Sequence, residues 1–181
     1  MRRPIAAPAL ALLIPALLPP LARSTDQTLA SEYEVKAAFI YHFTRYLQWP
    51  QPEASGSFEI AILGDSAIVP PLQAIAAKRT VQQRPIAIRP IADIDALGQP
   101  HILFLARPAA PRLSRVLEKT RGRPILTIAE EEGLAARGIA MNFVLRGESV
   151  KFEVNEAVLR RSVIQPGSQL LKLAILVRGP L

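Results

Sequence analysis

The longest apolar periodicity in the chain runs from Tyr33 to Pro50, YEVKAAFIYHFTRYLQWP. On a helical wheel Val35, Phe39, Ile40, Phe43, Tyr46 and Leu47 share one broad face, with Glu34, Arg45 and Gln48 opposite. Ser31 followed three residues later by Glu34 predicts a capping box at the start. Glu32 and Lys36 add an i,i+4 ion pair in the favoured order. Trp49-Pro50 predicts the end, because the residue before proline is pushed out of the α region. Lys36 projects into the apolar half of this wheel. Either its stem lies on apolar surface with the ammonium in water, or it is a cation placed for a carboxylate or an anionic ligand. His42, on the edge of the apolar face, reads as a partly buried structural histidine. The aromatic residues read as core, with Trp49 alternatively a partly exposed contact.

Beyond a Pro-, Gly- and Ser-rich loop at Gln51–Ser57, apolar runs alternate with helical patterns. Phe58–Leu63, Ile86–Arg89, His101–Leu105 and Ile125–Ile128 read as strands. The third is nearly continuous in its apolar character, as a strand covered on both faces must be. Between them lie a helix from Ser66 to about Ala77, a helical turn at Asp93–Leu97, and a helix through Leu113, Val116 and Leu117 ending near Gly122. Glu130–Ala136 is expected to be a short helix, whose acids complement the macrodipole. This alternation predicts an α/β domain: a mostly parallel sheet of about four to five strands with helices on both faces. The grammar then changes. Ile139–Leu145 and Ser149–Val154 flank Arg146-Gly147-Glu148, and Val150, Phe152 and Val154 alternate with Lys151 and Glu153. That predicts an antiparallel hairpin whose second strand is a half-exposed edge. Asn155 and Ser168 are expected to cap two closing helices.

The amino terminus changes the class. Met1-Arg2-Arg3, the apolar run Ile5–Leu18 and then Pro19-Pro20-Leu21-Ala22 read as a secretory leader over residues 1–22, leaving one domain at 23–181. An uncleaved anchor is the alternative, although Pro8 and Pro15 break the run and it is short for a membrane span. Without the leader, which carries two arginines and no acid, the net charge falls from +7 to +5. Export with a modest positive charge favours acidic protein or membrane-surface partners over nucleic acid. No cysteine is present, which excludes disulfides, thiol catalysis and thiolate metal sites.

Candidate chemistry is sparse. Open α/β sheets bind ligands outside the carboxyl ends of their strands, here Gly64-Asp65-Ser66, Ala106-Arg107 and Ala129-Glu130. The dinucleotide and phosphate-loop glycine spacings are missing, as is the serine nucleophile elbow. Arg107 stands where a phosphoacceptor domain would need an aspartate. Two histidines 59 positions apart make a zinc site improbable, and no cofactor is expected. Asp65 reads first as a turn former. Asn142, a polar amide inside an apolar strand, must find partners: a neighbouring loop, a ligand or a partner backbone. Trp49, Asp65, Arg107 and Asn142 are the candidate contact residues.

Several segments, in order, resemble the YfiR family of exported bacterial proteins. They are Tyr33–Pro50, Phe58–Asp65, Thr80-Val81 with Arg84-Pro85, His101–Phe104, Met141-Asn142-Phe143, Val150–Asn155 and Ser168–Leu171. The resemblance implies a periplasmic α/β domain that inhibits a membrane-bound diguanylate cyclase by binding its periplasmic sensor portion, lowering cyclic-di-GMP and biofilm formation. It also implies homodimers, no catalysis and no membrane span after leader removal. The absence of cysteines departs from better-known members and removes any thiol-based control. A periplasmic small-ligand sensor or solute-binding component is the alternative function.

Overall fold

The computed structural model describes residues 24–50 and 56–179; the expected leader and most of the loop after Pro50 lie outside them. Helix α1 spans Ser24–Tyr46, so it starts seven residues before the expected capping box. No glycine or proline interrupts residues 24–30, and each added residue gains a backbone bond at little cost once a helix is nucleated. At its far end Leu47–Gln48 turns into a short strand, β1, which pairs antiparallel with β9 (Gln165–Pro166).

The main sheet departs from the expected size. It has eight strands in the order β10-β8-β7-β6-β5-β2-β4-β3. In chain order these are β2 (Phe58–Leu63), β3 (Thr80–Val81), β4 (Arg84–Ile91), β5 (Ile102–Leu105), β6 (Leu126–Ala129), β7 (Met141–Arg146), β8 (Ser149–Val154) and β10 (Ile175–Leu176). Five neighbouring pairs run parallel, while β3–β4 and β7–β8 run antiparallel. The expected core strands and hairpin are present. The surplus comes from β3 and β10, two-residue strands too short to leave a periodicity. Because β10 lies alongside β8, the hairpin's second strand is not the sheet edge it was expected to be.

Residue alternation along the central strands sorts the core onto two faces. Phe58, Ile60, Ile62, Phe104, Ile128, Phe143 and Phe152 meet Ala37, Ile40 and Phe43 of α1, with Leu72 of α2 (Val69–Ala76) beside them. On the other face Ala61, Leu63, Leu103, Leu105 and Ala129 meet Leu113 and Val116 of α3 (Leu113–Thr120). The first face is the aromatic one. Phe43 packs edge-on to Phe152 at 5.0 Å and stacks on Phe143 at 6.0 Å.

Several local expectations fail. Residues 131–138 form turns rather than a helix. Two glycines in the left-handed region, Gly133 and Gly138, sit inside that stretch and break helical propagation. His42 is exposed, whereas Lys36, a charged neighbour on the same helix, is buried. At the carboxyl end Asn155 caps α4 (Glu156–Arg161) through a bond from the Val158 amide, as expected. Helix α5 (Ser168–Leu173) starts on Gly167 without a side-chain cap.

Candidate functional site

The chain reverses direction across the sheet at β2, which has β4 on one side and β5 on the other. A ligand crevice would be expected just beyond the carboxyl ends of β2 and β5. That space is filled. A 3-10 turn, Arg107–Arg112, folds over it and brings Ala109 so close that a Cβ on Gly64 would stand 2.9 Å from the Ala109 Cβ. Gly64 sits at φ +88°, so glycine is required for both its backbone angle and its lack of side chain. Asp65 and Arg107 are left exposed on either side of this closed point.

One strand further along, the carboxyl-end crevice opens and holds a buried charge cluster. Lys36 Nζ, 2 % exposed, lies 2.6 Å from Glu130 Oε2 and 2.5 Å from Glu32 Oε1. The second Glu130 oxygen accepts from the Tyr33 hydroxyl at 3.3 Å and from the Arg107 amide at 3.4 Å. The Lys36 ammonium also stands 4.6 Å over the Tyr33 ring. Burial raises the Tyr33 phenol above its ordinary value, and the Glu130 charge raises it further. The phenol therefore stays protonated and donates. Lys36 is thus the carboxylate-directed cation, not the lysine whose ammonium reaches water. Glu130 ties α1 to the end of β6 instead of complementing a helix dipole. Around this cluster Arg107, Phe143 and Arg146 line a crevice of about 420 Å³.

A larger groove, about 920 Å³, lies next to the cluster between the first half of α1 and the β7–β8 hairpin. Val35 and Phe39 form one wall and Leu145 and Val150 the other, with Glu32, Glu148 and Lys151 on the rim. Val35 is 40 % exposed and Leu145 44 %. Val35 was expected on the core-facing side of the helix. It instead faces this groove, because the hairpin does not close against α1 there.

A protein-family profile described as YfiR/HmsC-like matches residues 33–175. The chain belongs to the YfiR/HmsC-like family. No curated protein matches the chain significantly. The matched span contains Tyr33, Lys36, Arg107, Glu130 and both hairpin strands, and so includes the whole charge cluster except Glu32. Among the described residues no helix is long and apolar enough to cross a membrane, and no three His, Asp or Glu side chains group as metal ligands.

The four residues singled out from the sequence are not brought into one site of this YfiR/HmsC-like chain. Trp49 lies at the opposite, amino end of the sheet. Its ring packs edge-on to Phe58 at 5.4 Å, and its Nε1 donates to the His101 carbonyl at 3.3 Å. Asn142 is fully buried in β7 and donates through Nδ2 to Glu153 Oε2 at 3.0 Å, across the hairpin. Its Oδ1 has no hydrogen-bond partner among the described residues. Glu153, expected on an exposed edge, is 9 % exposed because β10 lies beside it. Sequence reasoning missed Glu130 and Glu153 as partners. The one available signal was Lys36 itself, since a lysine on an apolar face calls for a buried carboxylate somewhere else in the chain.

Proposed function

We propose that this protein is a periplasmic, non-catalytic regulator that binds and inhibits the periplasmic sensor region of a membrane-bound diguanylate cyclase. Lower cyclic-di-GMP and weaker biofilm formation would follow. Membership of the YfiR/HmsC-like family carries the proposal, and the groove between α1 and the hairpin supports it. Exposed apolar walls with a charged rim are the surface that a protein partner covers. Inhibition of this kind requires that the regulator bind one conformer of the sensor more tightly than the other. The Lys36–Glu130 tie serves this role by holding the α1 wall of the groove in register with the sheet.

Deleting the gene should raise cyclic-di-GMP, and restoring the wild-type chain should lower it again. Restoring Val35→Asp or Leu145→Asp should not, because each places a charge on an apolar wall while leaving the buried core intact. Crosslinking of the tagged protein in membranes should recover the cyclase with the wild-type chain and lose it with these variants. Unchanged cyclic-di-GMP on deletion, in cells that express the protein, would count against the cyclase reading.

A further inference from the structure

A second cleft of about 420 Å³ lies at the amino ends of the central strands, on the side of the sheet away from the charge cluster. Arg84, the first residue of β4, stands in it. Its Nε donates to the Gly56 carbonyl at 3.0 Å and its Nη2 to the Ser57 carbonyl at 2.8 Å. The remaining nitrogen, Nη1, has no oxygen partner among the described residues; it lies 3.0 Å from His101 Nε2. The other ring nitrogen, Nδ1, lies 3.1 Å from the Glu59 amide. An amide and a guanidinium can only donate, and a neutral imidazole has a single accepting nitrogen. With Nδ1 accepting from the strand amide, Nε2 carries the hydrogen, and two N–H groups point at each other.

Protonating the ring does not help, because it adds a second donor beside a guanidinium. Burial and the Arg84 charge both push His101 below its ordinary value, while Glu59 pulls weakly the other way. Two N–H donors side by side at a half-solvated cleft form a pair that one carboxylate or phosphate group can bridge. We propose that this cleft binds the carboxylate or phosphate group of a small solute, accepted jointly by Arg84 Nη1 and His101 Nε2. The surrounding charge suits an anion. Arg123 lines the same cleft with its guanidinium held by the Lys119 and Gly98 carbonyls, and the acid there, Glu59, faces Arg89 at 3.6 Å. Trp49 supplies a half-buried wall, and the volume is that of a small-molecule pocket. Gln82, also on the lining, and Gln83 adopt φ of 50° and 64°. They are the two central residues of the tight turn joining β3 to β4, a turn type that takes positive φ at both positions.

The test is imidazole ¹⁵N and ¹H NMR of the mature chain, titrated separately with inorganic phosphate and with acetate. The chain has two histidines, and exposed His42 is the internal control. Unliganded, His101 should show an unprotonated Nδ1 and a protonated Nε2. Saturating anion should shift the Nε2–H resonance and raise the His101 pKa, leaving His42 unmoved. A response to phosphate alone points to phosphate esters, and one to acetate alone to carboxylates. Arg84→Gln should weaken binding by about tenfold or more, with its amide spectrum checking that the fold is kept. A protonated Nδ1, with Nε2 accepting from Arg84, would overturn the proposal. So would an unshifted His101 at saturating phosphate and acetate, or equal shifts of His42 and His101. The outcome is separate from that of the cyclase reading, which is scored by cyclic-di-GMP in cells.

Discussion

The two ends of the central sheet handle positive charge in opposite ways. At the carboxyl end Lys36 is buried with two carboxylates against it, and Glu130 is met by a cation, a phenol and a backbone amide. At the amino end Arg84 and His101 are brought together with one donor too many. The first arrangement is closed and structural, holding the long helix on the sheet. The second is half-solvated, and its two facing donors are open to an acceptor from outside. A charged cluster is therefore a poor guide to binding until its donors and acceptors have been matched.

The comparison breaks most sharply if the carboxyl-end cluster is not structural. Lys36→Met should lower stability in urea by about 3–5 kcal/mol, because it strands Glu130 in the core without its cation. Lys36→Met with Glu130→Leu should recover much of that loss, since a buried ion pair replaced by apolar groups is often close to neutral. A small effect of the single change would show that water reaches Glu130. Next in size is Gly64→Ala, at about 1–3 kcal/mol from the left-handed backbone, with the approach of Ala109 adding to it. A neutral result would mean that the turn over the strand ends is mobile and that the crevice there can open.

Acid and alkali should separate the two ends. His101 is held below its ordinary 6.5, so the unfolded chain takes up a proton first as pH falls. The stability it contributes is complete above about 6.5 and is lost as pH drops toward the lower folded value. Tyr33 is raised above 10.0, so its contribution is complete below 10.0 and is lost as pH rises past its folded value. His101→Gln should flatten the acid limb of a stability–pH profile and Tyr33→Phe the alkaline limb. Each substitution should leave the other limb in place.

How much of this was legible in the sequence depends on the kind of residue. The central strands announced themselves because FEIAIL and ILFL are apolar without interruption, and the Asn155 cap because its side chain acts locally. The length of α1 was missed because Ser31 and Glu34 form a plausible start that nothing upstream requires. Strands β3 and β10 were missed because two residues carry no period. Glu130 was misread for a deeper reason: its partners lie 94 and 97 positions away, and three consecutive glutamates look like a solvated helix start. The donor conflict at His101 was invisible for the same reason, since it depends on a register that places Arg84 and Glu59 on either side of one ring.

The smallest expected effect tests whether distance alone is informative. Asp95 accepts from Arg115 at 2.8 Å and from Lys119 at 2.9 Å, contacts nearly as short as those of Lys36. All three side chains are about half exposed, so water competes for every charge and the long cations lose entropy when held. The two cations hold the Asp95 carboxyl below the usual carboxylate range, yet that preference is screened at the surface. Asp95→Asn should therefore leave the urea midpoint where it is, in low salt and in high. The same salt change should barely move the wild-type chain's dependence on Lys36, because a buried pair is little screened. If Asp95→Asn instead cost as much as Lys36→Met, burial would not be what separates a structural ion pair from a decorative one in this fold.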